Sequence, residues 1–279
     1  MSNGEANVGE GTARVAPSLG GIMKGKRAVI TGVANERSLA WAIAQAFHQE
    51  GAELAFTYAG EGMEKRVRPL AESLGAKAIL DLDVSSDDDI DATVAGIREV
   101  WDRVDVVVHS IGYAPREALA GRFTDVTTRE VWRITMDVSA YSLVALARAF
   151  KPLMSPGASI VTLSYYAAEK VVRNYNVMGV AKAALECSTR YLADDLGLDG
   201  IRVNAISAGP VKTLAAAGIR GMRSMLSENA ERTPLRRNIE QDDVARAALY
   251  LCTDLAKNVT GEVLHVDAGQ NVVGVVSME

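Results

Sequence analysis

The sequence predicts an α/β protein: one doubly wound parallel sheet of about seven strands, helices on both faces, in a single domain spanning residues 23–279. Three observations predict it. From residue 27 onward, short apolar runs alternate with longer segments of helical period. The runs are apolar almost throughout, as in Val104-Asp105-Val106-Val107-Val108, which suits strands covered on both faces. Hydrophobic residues make up 48% of the chain but aromatic ones only 5%, so the core is aliphatic and alanine-rich, suited to helices packed on a parallel sheet.

In order, residues 1–22 are rich in Gly, Ala, Ser and Glu without a period, and are expected to form a flexible N-terminal tail. Residues 27–31 read as the first strand and 38–49 as an amphipathic helix. A second strand (52–58) and helix (61–74) follow, then a third strand (77–84) and helix (87–101). The fourth strand is 104–110. A long helix is expected over 129–151, stopped near Pro152. The fifth strand, 159–164, leads to an alanine-rich helix from about residue 174. The sixth strand is 202–207, followed by an irregular helical stretch over 211–234 containing Gly218 and Gly221. A helix over 242–253 and a seventh strand over 262–266 complete the sheet.

Composition removes several function classes. A net charge of −5 without a basic stripe argues against a nucleic-acid partner. No run of 18 apolar residues occurs, so no membrane insertion is expected. Cys187 and Cys252 lie in helix-like stretches without metal spacing; they read as reduced core thiols of a cytoplasmic protein, and no metal site is expected.

Candidate binding residues gather at the carboxyl ends of strands, where open α/β sheets bind ligands. After strand one comes Thr31-Gly32-Val33-Ala34-Asn35-Glu36-Arg37-Ser38-Leu39-Ala40. Gly32 allows a tight turn against a pyrophosphate, with amides of the next helix as donors, although Gly-x-Gly-x-x-Gly is absent and Ser38 read alone is an N-cap. Asp83-Val84 closes strand three; the carboxylate suits an adenine amino group, or equally a helix cap. Ser110-Ile111-Gly112 closes strand four, and Gly112 would let backbone lie against a flat ring or simply turn. Gly209-Pro210-Val211-Lys212-Thr213 closes strand six, where backbone and a hydroxyl suit a nicotinamide amide and a phosphate, or a proline-stopped turn.

The centre of the chain is 164–182. Tyr175 and Lys182 are seven residues apart, which places both on one face if the helix starts near 174. A phenol and an ammonium beside a cofactor polarise a carbonyl oxygen and hold a ribose. Tyr165, at the end of strand five, is positioned to face the same pocket. Alone, such a pair is common on helices; the rest of the chain gives it weight.

Together these residues resemble the short-chain dehydrogenase/reductase superfamily, in its divergent branch of bacterial NADH-dependent enoyl-acyl-carrier-protein reductases. The resemblance spans about residues 25–269. It rests on Gly32-x5-Ser38-x-Ala40, His109-Ser110-Ile111-Gly112, Leu163-Ser164-Tyr165, Asn174-Tyr175-Asn176-Val177-Met178-Gly179, Lys182 and Val203-Asn204-Ala205-Ile206-Ser207-Ala208-Gly209-Pro210. Ordinary superfamily members use Tyr-x3-Lys; here Gly179 holds that lysine position and the spacing is Tyr-x6-Lys. The resemblance implies a Rossmann-like fold and an oxidoreductase acting on a carbon–carbon double bond in type II fatty acid synthesis. It implies enoyl-acyl-carrier protein as substrate, NADH as cofactor and a homotetramer. Tyr175 would donate to the thioester carbonyl oxygen, Lys182 would bind the nicotinamide ribose, and Tyr165 would assist. Ala114 matches a backbone contact to substrate. Gly32, Ser38, Leu39, Asp83, Val84, Ser110, Ile111, Gly112, Val211, Thr213, Leu214 and Ala215 match dinucleotide contacts. His109 and His265, in apolar strands, read as structural.

One position departs from the pattern. Many relatives carry a glutamine where this chain has Ala59, followed by Gly60, at a point that approaches the adenosine ribose. No Arg or Lys adjoins it to welcome a 2′-phosphate, which favours NADH. The 214–226 stretch matches a mobile substrate-binding segment, and Arg220 and Arg223 are candidates to meet the acidic carrier. Two other functions compete: a carbonyl or alcohol dehydrogenase on the same fold, disfavoured by the absent Tyr-x3-Lys, and a non-catalytic dinucleotide sensor, which needs no proton donor.

Overall fold

The structure is a computed structural model that describes residues 18–211 and 222–274. Its strands are β1 (Arg27–Ile30), β2 (Glu53–Tyr58), β3 (Ala78–Asp81), β4 (Val104–His109), β5 (Met154–Ser164), β6 (Arg202–Ala208) and β7 (Val263–Val266). They form one sheet in the order β3-β2-β1-β4-β5-β6-β7, parallel throughout. The helices are α1 (Leu39–Gln49), α2 (Glu61–Ser73), α3 (Asp87–Arg98), the single turn α4 (Phe123–Val126), α5 (Arg129–Met136), α6 (Ser142–Phe150), α7 (Val177–Gly197), α8 (Met222–Arg232) and α9 (Gln241–Cys252).

Pleating divides each inner strand between two cores. Ala28 and Ile30 of β1, with Val106 and Val108 of β4, pack in the layer that holds Trp41 and Phe47 of α1 and Val244 and Leu251 of α9. Val29 and Val107, one residue out of phase, pack with Leu143 and Phe150 of α6 and Leu185 of α7. Each fully buried Val, Leu or Phe contributes about 1.5–3 kcal/mol, so this alternation fixes strand register firmly. The winding reverses between β1 and β4. That opens a crevice at their carboxyl ends, the usual ligand position in such a sheet.

The element order follows the sequence reading, with local differences that matter for the site. α7 begins at Val177, not near 174. Asn174 and Asn176 have φ of +66° and +45°, and a right-handed helix cannot pass through such residues. Tyr175 therefore stands in the turn before α7, and the shared helix face expected for Tyr175 and Lys182 does not form. The expected helix over 129–151 runs without a gap from Arg129 to Phe150 but widens into a π-helical turn at Asp137–Tyr141. β3 ends at Asp81, which leaves Asp83 and Val84 in the following loop. Cys252 is buried as expected, but Cys187 is exposed on α7.

The expected tail reaches into the described residues, and its end is held. Glu50, 2% exposed, accepts from the backbone N–H of Leu19 (2.6 Å), Gly21 (2.9 Å) and Ile22 (3.2 Å). Burial raises the pKa of this carboxyl, and the three amides together with the Ser18 hydroxyl more than reverse the effect, leaving it below its ordinary value. The resulting stabilisation is present above the unfolded pKa and is lost as pH falls through the folded one. Glu50→Ala is expected to lower stability by about 1–3 kcal/mol in urea unfolding and to speed hydrogen exchange at Leu19, Gly21 and Ile22. Unchanged exchange at those amides would refute the clamp.

Candidate active site

The floor of the crevice is the turn after β1. Thr31 fastens it to β4: its Oγ1 donates to Val108 O (2.9 Å) and accepts from Ser110 N (3.3 Å). Gly32 has φ +80°, and a Cβ there would fall 1.9 Å from the carbonyl oxygen of Ser110. The glycine is thus required by the contact between two strand-end turns, before any ligand is considered. Ser38 does stand at the N-cap position of α1, but its side chain makes no cap bond. Its Oγ accepts instead from Ala34 N (2.9 Å) and Asn35 N (3.0 Å), closing the loop. The first turn of α1, which starts at Leu39, so has no side-chain cap, a donor set suited to a phosphate.

On the adenosine side, Ala59 is exposed, and Gly60 N donates to Asp81 Oδ1 (2.8 Å). Asp83 is exposed; its Oδ1 accepts from both Ser85 N (2.9 Å) and Ser85 Oγ (2.6 Å), which orders the loop beside buried Val84.

At the other end lies Lys182, 7% exposed, whose Nζ donates to Leu163 O (2.7 Å). Ile111 is half-buried beside Gly112. A Cβ on Gly112 would lie 3.7 Å from Lys182 Nζ and 3.5 Å from Met178 Cε, so the end of β4 runs flush against the ammonium. Burial brings the Lys182 pKa down to about 8, and the negative charge of Glu186 opposes that fall. Tyr165, one residue past β5, meets Tyr175 edge-on, with ring centroids 5.0 Å apart and planes at 66°. Burial raises the pKa of both phenols, and Tyr165 adds to the rise at Tyr175. Both therefore remain hydrogen-bond donors at neutral pH. Ala114 is half-buried against Ala118, Val131 and Val177.

Val211 is buried where β6 ends; Thr213, Leu214, Ala215 and Arg220 lie outside the described residues, as does the side chain of Arg223.

Two residues that sequence reasoning missed belong here. Ser139, in the π turn, accepts from Tyr113 N and donates to Tyr113 O, both at 2.8 Å, and so pins the loop after β4. π turns are frequent at functional sites, yet nothing in the local sequence marks this one. Glu186 is the second: it is 7% exposed and accepts from Ser164 Oγ at 2.5 Å.

Histidine chemistry is absent from the centre. His109 lies between Thr162 Oγ1 and Ser142 Oγ, each at 2.8 Å. Ser142 gives its proton to Val138 O, so His109 Nε2 donates to Ser142 and Nδ1 accepts from Thr162. Burial, reinforced by the charge of Lys182, lowers its pKa to about 3, and the ring stays neutral. His265 bonds to Glu169 at 2.9 Å.

A dinucleotide fits this crevice: uncapped amides at one end suit its phosphates, and a cation at the other suits its ribose hydroxyls. With two phenols in edge contact just past the strand end to which that cation bonds, fold and site define a nicotinamide-dependent oxidoreductase of the short-chain dehydrogenase/reductase class. Comparison with known proteins narrows the class. A family profile described as enoyl-(acyl carrier protein) reductase matches residues 32–271. The Aquifex aeolicus protein named enoyl-[acyl-carrier-protein] reductase [NADH] FabI is 52% identical over 93% of this chain and 96% of its own. The Escherichia coli protein of the same name is 47% identical over 93% of this chain and 99% of its own. A crystal structure of the reductase from Anaplasma phagocytophilum in complex with NAD superposes with a TM-score of 0.88 at 48% identity, covering 95% of this chain and 98% of that one. The chain belongs to the enoyl-acyl-carrier-protein reductase family.

Proposed function

We propose that the protein uses NADH to reduce the trans-2 double bond of enoyl-acyl-carrier-protein thioesters in the elongation cycle of type II fatty acid synthesis. The observation that carries this reading over carbonyl reduction is at Gly179. A Cβ there would lie 2.9 Å from Ala167 O, so α7 has no room for the lysine of Tyr-x3-Lys, and the cation enters from Lys182. The relatives' names supply the substrate and the cofactor.

Gly32, Ser38, Leu39, Asp83, Val84, Ser110, Ile111, Gly112 and Val211 would hold the dinucleotide, with Lys182 on the nicotinamide ribose. NADH, when bound, supplies the hydride that adds to the β-carbon of the enoyl chain. Tyr175 donates to the thioester carbonyl oxygen and stabilises the enolate that results. Tyr165 orients Tyr175 through the edge contact and lines the substrate pocket with Ala114. Asp81, bonded to the Gly60 amide at the end of β2, puts negative charge where a 2′-phosphate would need positive, which supports NADH over NADPH. No described helix is long and apolar enough to cross a membrane. A cytoplasmic homotetramer completes the reading, supported by Trp132, Tyr141 and Tyr191, exposed along α5, the π turn and α7.

Purified protein should oxidise NADH with a crotonyl thioester and leave simple ketones unreduced; the reverse preference would replace this reading with the carbonyl dehydrogenase. The pH profile is a separate expectation. Lys182 loses its proton near pH 8 in the free protein, so kcat/KM for NADH should fall about tenfold per pH unit above that point. A profile flat to pH 10 would remove the Lys182 charge from cofactor binding.

A further inference from the structure

The end of β5 is stapled to α7 twice, by two consecutive residues of the strand and two residues one turn apart on the helix. Leu163 O accepts from Lys182 Nζ (2.7 Å), and Ser164 Oγ donates to Glu186 Oε1 (2.5 Å). Ser164, Lys182 and Glu186 are 6%, 7% and 7% exposed. Tyr165 follows directly on Ser164. A buried carboxylate is retained only where partners offset its lost hydration. Glu186 has a direct partner in the Ser164 hydroxyl, although burial still raises its carboxyl pKa on balance. The buried Lys182 stands one turn back on the same helix, where the Glu186 charge favours the ammonium.

We propose that Glu186 is a positioning residue of the active site: its charge keeps Lys182 protonated beside the cofactor crevice, and its bond to Ser164 fixes the strand end that carries Tyr165. The assignment of Lys182 to the cofactor is that of the preceding section, and this inference rests on it only for its kinetic consequence.

Other charges face the same carboxylate. Arg190 lies one turn further along α7, and Glu169 and His265 approach from the turn after β5 and from β7, bonded to each other at 2.9 Å. Neutral His109 is on the Lys182 side. Glu169 opposes the Glu186 charge, whereas Arg190 and His265 favour it. None of them bonds to Ser164; of these groups, Glu186 is the one that holds the Ser164 hydroxyl to the helix that carries Lys182.

Glu186→Gln keeps the length and the acceptor for Ser164 and removes only the charge. In protein with ¹³C-labelled lysine, the NMR titration midpoint of Lys182, assigned by Lys182→Met, should fall by about one pH unit in Glu186→Gln. The KM for NADH at pH 8 should rise several-fold, with kcat less affected. A midpoint within 0.3 pH units of wild type, a threshold of about 0.4 kcal/mol, overturns the proposal. A midpoint that moves while the KM for NADH stays put leaves the electrostatic role standing and counts instead against Lys182 as a cofactor ligand. Ser164→Ala tests the other half, and does so even if Glu186→Gln fails to fold. It keeps the carboxyl and drops the tether, so kcat should fall several-fold, with the KM for NADH changed less than in Glu186→Gln. A Ser164→Ala protein with normal kcat would overturn the positioning of Tyr165 through this bond.

Discussion

Tyr175→Phe is expected to lower kcat for enoyl-thioester reduction by about 10²–10³-fold while leaving the KM values for both substrates within a few-fold of wild type. The variant removes one oxygen from a ring that is otherwise held as before, edge-on to Tyr165 with centroids 5.0 Å apart. What it loses is a donor aimed at charge that develops only after the hydride has arrived, so the loss should appear in kcat. The raised pKa of Tyr175 agrees with this role, because a phenol that resists ionisation stays a donor throughout turnover. Tyr165→Phe should cost less, since its part is to orient. A Tyr175→Phe enzyme with wild-type kcat would remove the residue from its assigned place.

The second large effect is expected at Gly32. In Gly32→Ala, the new Cβ meets the Ser110 carbonyl oxygen at 1.9 Å, a backbone atom with no flexible end to move aside, and φ stays at +80°. Forcing an L-residue into that conformation costs about 1–3 kcal/mol, and the overlap about as much again. Strain can be relieved only by parting the turns after β1 and β4, which deforms the floor of the crevice. Urea unfolding should therefore show a loss of about 2–6 kcal/mol, and the KM for NADH should rise at least tenfold. Retention of both values would show that the two turns are not locked together.

The sheet was legible because its signals are local. Apolar runs bounded by turn residues gave the strands, and alternation with helical segments gave parallel order and the crevice between β1 and β4. Gly32, Ser110 and Gly112 follow from that order, since each sits just past a strand's carboxyl end, whereas Lys182 was singled out by its spacing from Tyr175 on a helix face that does not form. Tyr175 was placed in the right region but on the wrong element: Asn174 and Asn176 adopt positive φ, and a helical pattern in the sequence does not show where asparagine turns left-handed. Ser139 escaped because a π turn leaves the apolar period almost intact. Glu186 escaped for another reason. A Glu four residues after a Lys reads as an exposed helix pair, and only the packing of α7 on β5 puts both side chains inside.

Hydride addition to the β-carbon of an enoyl thioester is the step that separates this enzyme from carbonyl reducers. The direct measurement uses NADH carrying deuterium at the transferred position, a crotonyl thioester of acyl carrier protein and the wild-type protein, followed by NMR of the acyl product. The expected product is a butyryl thioester with the deuterium at the β-carbon. Deuterium on a carbon that was a carbonyl, as in an aldehyde or alcohol product, would contradict it and move the protein to the carbonyl-reducing branch of its fold.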